Sequence, residues 1–303
     1  MTNRSHKILT VGLTPARQCV MRFSRLKLGH VCRADKVTHL SSGKNLNVAA
    51  GVAVLAASSN IPIMSRLLTP WEEATCRNME AEMAAIGVTV RTLPTIASTR
   101  LCTTLLVGRE PVTELVENGL PLSEIELDRF VELFAEEQEQ ADLIVLTGSL
   151  PQDVPSDYYR RLLEQTDKPW IGDFHSAGLL AALEKRPLLV KPNLAELAAT
   201  LPGADRNDHA FEAMRELCHR GASWVMVSDG PGEIRAVSET ETHIIKPPRM
   251  AGDEIVNPIG CGDAMTAGIA VCLCQEKSMP EAITAGMNAA QRKIRSPLPR
   301  FTQ

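Results

Sequence analysis

The sequence is poor in aromatic residues, which make up 4% of its 303 residues. Stacking of bases on aromatic side chains is a main source of affinity for single-stranded nucleic acid. The formal net charge of -4 adds no overall attraction for nucleic acid or for an acidic membrane surface. We therefore expect no nucleic acid or membrane partner, and an anionic ligand has to be held by local cations.

The sequence also has no long apolar run and no paired cysteines. No run approaches the roughly 20 apolar residues of a membrane helix, and the first one, residues 8–13, is too short for a signal peptide. The eight cysteines are scattered without a CxxC pair, which favours reduced, packed thiols over a metal site or disulfides. A cytoplasmic protein is the default expectation.

Apolar strand-like runs alternate with helical patterns along most of the chain. Strands are predicted at residues 7–13, 61–66, 142–147, 170–173, 188–191 and 224–228. A helix is predicted to begin at Thr69-Pro70 and to end at Gly87, and Ser123 with Glu126 predicts a capping box for the next one. This alternation predicts a mostly parallel sheet with helices on both faces.

The most informative segment is residues 257–263, Asn-Pro-Ile-Gly-Cys-Gly-Asp, which leads into an apolar run of small residues. N–H groups at a helix start attract phosphate oxygens, and Asp263 could accept the proton of an attacking hydroxyl. The alternative is an ordinary capping Asp after a glycine turn. The segment alone does not decide between a phosphoryl-transfer site and a simple cap.

Six further motifs occur in order along the chain: residues 42–49, Thr99-Arg100, and residues 112–119, 147–151, 191–196 and 227–232. Together with Gly260 to Asp263 they resemble the PfkB (ribokinase-like) family of carbohydrate kinases. The resemblance runs from about residue 8 to about residue 290. Lys44 and the motifs at 112–115, 148–151 and 191–196 are similar to the 1-phosphofructokinase and tagatose-6-phosphate kinase branch.

The resemblance implies a three-layer α/β/α fold with a central, mostly parallel sheet and a small β-sheet lid. The α/β core, which binds nucleotide and carries catalysis, would comprise residues 1–13, 43–90 and 120–303. The lid over the sugar site would comprise residues 14–42 and 91–119. Relatives often share the lid between two subunits, so a homodimer through the lid is expected.

The resemblance also implies the acceptor side of the site. Asp263 would be the general base, and Gly260, Cys261 and Gly262 would form the anion hole beside it. Lys44 and Arg100 would hold the phosphate that the acceptor already carries. The remaining acceptor-binding residues would be Gly43, Asn47 and Gln18.

The nucleotide side follows from the same resemblance. ATP would be bound by Lys191, Asn193, Ser228, Gly230 and Gly232. Asn193 and Glu196 would reach Mg²⁺ through water, since this ion prefers oxygen ligands and keeps several waters. The alternative is that these two residues form a capping box, and the two roles can coexist.

The sequence departs from the family pattern at several positions. Gln18 stands where the branch usually carries an acid that grips sugar hydroxyls, and Asn45 replaces a glycine. The chain ends soon after Ala290, where relatives usually add more helix beside the adenine. These departures bear on acceptor identity and nucleotide affinity.

The function implied is ATP- and Mg²⁺-dependent phosphorylation of a hydroxyl of a sugar phosphate. One alternative is a kinase for an unphosphorylated sugar or nucleoside, for which Lys44 and Arg100 would have no phosphate to bind. The other is a sugar-phosphate-binding regulator without turnover, motivated by Gln18, Asn45 and the short C-terminus.

Overall fold

The computed structural model describes residues 5–119, 121–204 and 207–302. Residues 1–4, 120, 205–206 and 303, which the predicted core includes, lie outside the described ranges. Up to residue 119 the elements are β1 (His6–Val11), β2 (Ala16–Phe23), β3 (Lys36–Ser42), α1 (Lys44–Ser58), β4 (Ile63–Glu72), α2 (Cys76–Ala84), β5 (Val88–Thr95), β6 (Leu101–Val107) and β7 (Thr113–Val116).

From residue 121 onward helices and strands alternate, with two helices at the end. These elements are α3 (Glu124–Gln138), β8 (Leu143–Thr147), α4 (Tyr158–Leu163), β9 (Trp170–Asp173), α5 (Ser176–Ala182), β10 (Leu189–Val190), α6 (Leu194–Thr200), α7 (Asn207–His219), β11 (Val225–Val227), β12 (Ile234–Val237), β13 (Thr242–Ile245), α8 (Cys261–Leu273) and α9 (Met279–Ile294). Within the described residues, no helix has the length and apolarity needed to cross a membrane.

In the described part of the chain, nine strands form one sheet in the order β13-β12-β11-β10-β9-β8-β1-β4-β5. Seven neighbouring strands pair in parallel, in the order β11-β10-β9-β8-β1-β4-β5, and β12 and β13 add an antiparallel edge. β1 lies in the interior of the sheet, third from the β5 edge, with Thr10 opposite Leu67 of β4 and Val145 of β8. The predicted mostly parallel sheet is confirmed.

Helices cover both faces of this sheet, because alternate residues of its strands point to opposite sides. On β1, Leu9 and Val11 pack into one apolar cluster with α3, α4, α5, α6 and α7, whereas Ile8 packs into a second cluster with α1, α8 and α9. The central strands are therefore buried on both faces, as expected of a parallel sheet. The resulting three layers are those that the sequence predicts.

Four strands, again within the described residues, form a separate small sheet in the order β3-β2-β6-β7. They fall inside residues 14–42 and 91–119, the segments predicted to form the lid, and we refer to this sheet as the lid. Gly43 connects it to the core, because β3 leads through this residue directly into α1. Gly43 has a φ of 105°, and an added Cβ would lie 2.8 Å from the Pro15 Cα, so the connection requires glycine.

One predicted helix start is wrong. Thr69-Pro70 lies inside β4, which continues to Glu72, and the helix begins only at Cys76. β1 pairs with β4 only as far as Leu68, so Pro70 has β5 as its one partner strand among the described elements, the edge-like position that proline tolerates. By contrast, the predicted capping box of Ser123 and Glu126 is present at the start of α3.

The C-terminal residues 296–302 lie against the core rather than extending from it. The Phe301 side chain packs with Val54, Ala264 and Ala289. Buried Arg300 forms an ion pair with Glu82 and donates a hydrogen bond to the carbonyl oxygen of Ser41 at 2.8 Å. The short tail thus joins α1, α8 and α9 to the end of the lid.

Candidate active site

A cavity of about 970 Å³ lies between the lid, the start of α1, the carboxyl ends of the core strands and the start of α8. This is the edge at which ligands of open α/β sheets bind. On the acceptor side the residues predicted to form the site all line it: Gln18, Gly43, Lys44, Asn47, Arg100, Gly260, Cys261, Gly262 and Asp263. On the nucleotide side the lining includes Lys191, Asn193, Glu196, Ser228 and Gly230. Gly232, although described, is not among the lining residues.

The turn before α8 is held by its own polar groups. The Asn257 Oδ1 accepts a hydrogen bond from the Ile259 N–H at 2.9 Å, and the Cys261 N–H donates to the Pro258 carbonyl at 3.1 Å. Gly260 caps α8 in the left-handed region with a φ of 83°. A Cβ there would lie 1.7 Å from the Pro299 oxygen, so no larger residue fits without moving the tail.

Behind this turn lies a buried cation, Lys293. Its side chain is 1% exposed, and its Nζ donates to the Asn257 carbonyl oxygen at 3.0 Å. Burial lowers the Lys293 pKa, whereas the charges of Cys261 and Asp263 raise it by a smaller amount. The ammonium therefore lies close to both the turn and the first residues of α8.

Asp263, in the first turn of α8, lines the cavity but is only 6% exposed. Its Oδ2 accepts a hydrogen bond from Asn47 Nδ2 at 2.7 Å. Burial raises the pKa of Asp263 to about 6, an effect that Lys44 opposes and the negative charge of Asp173 reinforces. A carboxyl with this pKa is ionised at neutral pH yet basic enough to accept a proton.

Asp173, at the end of β9, is the acidic centre of the cavity floor. Its Oδ1 lies 3.4 Å from the Lys44 Nζ and 3.5 Å from the Lys191 Nζ, and its Oδ2 accepts a hydrogen bond from Thr266 Oγ1 at 2.8 Å. Burial alone would raise the pKa of Asp173, but the two ammonium groups outweigh it and hold the pKa below its usual value. The sequence placed Asp173 at a strand end without assigning it a role.

Lys44, at the start of α1, is paired with two carboxylates. Besides Asp173, its Nζ contacts the Glu196 Oε1 at 3.3 Å. The charge of Asp173 raises the Lys44 pKa further above its ordinary value, burial opposes this, and Glu196 adds to it. The ammonium is thus charged and half-buried at the cavity, and its contact with an acceptor phosphate stays a prediction.

Arg100, just before β6, braces the base of the lid. Its guanidinium donates to the backbone carbonyls of Thr14 at 3.1 Å, Pro15 at 3.3 Å and Glu117 at 3.5 Å. A guanidinium has five N–H donors, so two remain after these contacts. Arg100 therefore fixes the lid strands and still has donors at the cavity.

Asn193 and Glu196 form a reciprocal capping box at the start of α6. The Glu196 N–H donates to Asn193 Oδ1 at 2.8 Å, and the Asn193 N–H donates to Glu196 Oε2 at 2.9 Å. The capping interpretation of this pair is therefore confirmed. Because the other Glu196 oxygen contacts Lys44, both oxygens already have protein partners, and this arrangement fits contact with a metal through water better than direct ligation.

The loop that starts at Ser228, between β11 and β12, contacts the start of α6. The Leu194 N–H donates to the Ser228 carbonyl at 3.0 Å, which places Ser228 and Gly230 beside the start of α6 at the cavity. The Gly232 N–H donates to the Asp229 carbonyl at 2.6 Å and closes the turn. Gly232 therefore shapes the turn behind the lining residues.

Gln18 lies on the cavity face of the lid and is 3% exposed. Its Nε2 donates to Thr104 Oγ1 at 2.9 Å. A different residue of the lid, Glu114 on β7, brings a carboxylate to the same cavity. The sequence included Glu114 in a motif but assigned it no role, because only the pairing of β6 with β7 turns it toward the site.

The described residues contain no group of three or more His, Cys, Asp or Glu side chains placed to hold a metal ion. Cys261, in the turn before α8, has its pKa raised by burial, which Lys293 partly offsets. Its thiol is therefore neutral near pH 7 and adds no negative charge to the turn.

The fold is that of ribokinase-like α/β proteins, and comparison with known proteins identifies the family. The family model described as "pfkB family carbohydrate kinase" matches residues 5–302. The chain belongs to this family and is therefore a carbohydrate kinase, a class of enzyme that uses ATP.

Solved structures have the same fold. Phosphofructokinase-2 from Escherichia coli in complex with substrates and products is 25% identical, with a TM-score of 0.84 over 95% of this chain and 93% of that one. A possible 1-phosphofructokinase from Thermotoga maritima is 18% identical, with a TM-score of 0.85 over 98% of this chain and 94% of that one. Arabidopsis thaliana ribokinase, complexed with ribose and ATP, is 18% identical, with a TM-score of 0.70 over 98% and 96%.

Proposed function

We propose that this kinase transfers the terminal phosphoryl group of ATP to a hydroxyl of a ketohexose monophosphate, of the fructose 1-phosphate or tagatose 6-phosphate type. One observation carries the proposal. Asp263 lies in the same cavity as two cationic side chains on the acceptor side, Lys44 and Arg100. A cavity with a base and separate cations is suited to an acceptor that carries both a hydroxyl and a phosphate.

In this mechanism Asp263 takes the proton of the attacking hydroxyl as its oxygen bonds to the terminal phosphorus of ATP. The bond from that phosphorus to the bridging oxygen breaks, and ADP leaves. Asn47 holds the carboxylate in place through its 2.7 Å hydrogen bond. Phosphoryl transfer spreads negative charge over three oxygens, so stabilisation of that charge supplies most of the catalysis. In the first turn of α8, the N–H groups of Gly262 and Asp263 and the positive end of the helix dipole would face those oxygens. Cys261 would complete the turn, because its own N–H already donates to the Pro258 carbonyl.

The nucleotide is assigned to the other side of the cavity. Lys191, 3% exposed at the end of β10, would neutralise phosphate charge, and Asn193, Ser228 and Gly230 would contact the nucleotide, with Gly232 holding their turn. Glu196, together with Asn193, would hold Mg²⁺ through water. Held there, the ion would neutralise charge on the phosphates of ATP.

A kinase for a neutral sugar or nucleoside is the second candidate. It is favoured by the partners of Lys44, which is neutralised by Asp173 and Glu196, and by the three backbone carbonyls that Arg100 already binds. An acceptor without a phosphate would leave both cations as they are. A non-catalytic regulator is the third candidate, with Gln18 in place of an acid as its motivation.

An acceptor screen separates the three candidates. Purified protein with ATP and Mg²⁺ is offered sugar phosphates, the matching free sugars and nucleosides, and ADP release is measured. Turnover with a ketohexose monophosphate and not with its free sugar supports the proposal. Turnover only with unphosphorylated acceptors favours the second candidate, and calorimetric binding of a sugar phosphate without ADP release favours the regulator.

The proposal includes the division into a core, residues 1–13, 43–90 and 120–303, and a lid, residues 14–42 and 91–119, with a homodimer through the lid. Residues 91–95 of the second lid segment belong instead to β5 of the large sheet. The outer face of the lid supports the dimer, because Val37 and Leu115 are 44% and 56% exposed. Val37 pairs with Met21, and Leu115 with Thr103, on the side away from Gln18. Sedimentation of the Leu115→Glu variant tests it: a monomer is expected, and an unchanged mass would contradict a lid-mediated dimer.

A further inference from the structure

Glu114 of the lid faces the cavity that contains Asp263. It lies on β7 directly opposite Thr104 of β6, and Gln18 of β2 lies opposite Cys102, two residues before Thr104. Directly paired residues share a face of a sheet, as do residues two apart on one strand. Gln18, Thr104 and Glu114 therefore all lie on the face of the lid that is turned to the cavity.

On this face Glu114 supplies a carboxylate whose two oxygens have no protein donor or ion-pair partner among the described residues. The Gln18 amide is buried and already donates to Thr104. A half-buried carboxylate without donors carries an unfavourable desolvation free energy, which a ligand with hydroxyl groups would relieve.

The charges around Glu114 limit what kind of group can bind there. Burial raises the Glu114 pKa, the carboxylate of Asp263 raises it further, and Arg100 lowers it. Glu114 and Asp263 are therefore close enough to sense each other across the cavity. An anionic end of a ligand would be repelled by both carboxylates, whereas neutral hydroxyl groups can donate hydrogen bonds to them.

We propose that Glu114 is a specificity-determining residue that accepts hydrogen bonds from acceptor hydroxyls next to the hydroxyl that Asp263 deprotonates. This inference rests on the proposed function and adds the orientation of the acceptor. The hydroxyl groups of the acceptor contact Glu114 and Asp263, and its phosphate contacts Lys44 and Arg100 rather than the two carboxylates. A carboxylate with two free oxygens is suited to a pair of neighbouring hydroxyls.

The first test compares Glu114→Gln with the unchanged enzyme. Loss of a charge-assisted hydrogen bond should raise the acceptor KM by about 10- to 100-fold, while the KM for ATP and the thermal midpoint stay the same. Glu110→Gln is the matched control, since it makes the same chemical change at an exposed position of the β6–β7 turn that does not line the cavity. The control should keep the acceptor KM of the unchanged enzyme.

The second test uses deoxy analogues of the acceptor with both enzymes. If Glu114 binds a hydroxyl, removing that hydroxyl weakens binding to the unchanged enzyme and has a smaller effect in Glu114→Gln, whose amide oxygen is a weaker, uncharged acceptor. If removal of each hydroxyl weakens acceptor binding by the same factor in both enzymes, the inference is overturned. It is also overturned if the original enzyme turns over and Glu114→Gln has the same acceptor KM. If the unchanged enzyme neither binds nor phosphorylates any sugar phosphate, the proposed function fails first and this inference fails with it.

Discussion

Asn47 and Asp263, 216 residues apart in sequence, are joined by a hydrogen bond of 2.7 Å from the amide Nδ2 to the carboxylate Oδ2. The other end of the Asn47 amide, its Oδ1, accepts a hydrogen bond from Ser42 Oγ at 2.8 Å. Ser42 is the last residue of lid strand β3. A short chain of side chains therefore connects the lid to the proposed base.

Replacing Asn47 with Leu should weaken catalysis in a pH-dependent way. The hydrogen bond from Asn47 lowers the pKa of Asp263, against the larger effect of burial. Its loss should raise that pKa further, so the acidic limb of kcat/KM shifts to higher pH. We expect kcat near neutral pH to fall by about 10- to 100-fold. A pH–rate profile measures both effects.

Ser42→Ala is the matched control for this variant. It removes the partner of the Asn47 Oδ1 but keeps the Nδ2 donor to Asp263. The acidic limb should therefore stay where it is in the unchanged enzyme. Equal shifts in both variants would mean that the position of the limb does not depend on the Asn47 amide.

The raised pKa of Asp263 should make its ionisation unfavourable for the folded state. Because the folded pKa, about 6, is above the unfolded one, the protein loses stability as pH rises between the two values. Relative to Asp263→Asn, the loss should approach about 3 kcal/mol above pH ~7. Urea unfolding of both proteins at about pH 4 and about pH 7.5 measures it. A stability difference that is the same at both pH values would contradict the raised pKa.

Gly260 and Gly262, in the turn that leads into α8, should respond differently to replacement by alanine. Gly260→Ala places a Cβ 1.7 Å from the Pro299 oxygen at a φ of 83°, so it should destabilise the fold by at least about 2 kcal/mol. At Gly262 the nearest atom to an added Cβ is the Lys191 Nζ at 3.9 Å. Gly262→Ala should therefore fold normally.

Gly262→Ala should still reduce activity, because its methyl group enters the space assigned to the phosphate oxygens. We expect kcat/KM for ATP to fall by at least about tenfold. Unfolding curves and initial rates of the two variants provide the comparison. A Gly262→Ala enzyme with full activity would argue that phosphate does not approach the turn at this residue.

Lys44→Met tests whether the acceptor carries a phosphate. If Lys44 contacts that phosphate, its loss should raise the acceptor KM by about 10- to 100-fold. Lys246→Met is the control, because Lys246 is 79% exposed and contacts only Glu233 among the described residues. An acceptor KM that is equal in the two variants would favour a neutral acceptor.

The sequence was sufficient for the sheet, the lid and most of the cavity lining. Strand–helix alternation predicts the parallel sheet, and ordered motifs place Asp263, Asn47 and Lys191 in one site. The prediction of a helix start at Thr69-Pro70 was wrong because the residue types that start helices also occur near the ends of strands. Only the pairing of β4 with β5 shows that the strand continues through them.

The ion pairs of the site could not be predicted from sequence. Lys44 meets Asp173, 129 residues away, only because the start of α1 lies beside the end of β9. Likewise, the sequence does not show that Arg300 and Phe301 anchor residues 296–302 to the core. Long-range contacts of this kind depend on packing rather than on local pattern.

The most direct test of the account is the rate of Asp263→Asn with ATP, Mg²⁺ and the acceptor found in the screen. An amide in place of the carboxylate cannot take the proton, so kcat should fall by about 100- to 10,000-fold while the Kd for ATP is unchanged. A kcat that stays close to that of the unchanged enzyme would contradict Asp263 as the general base.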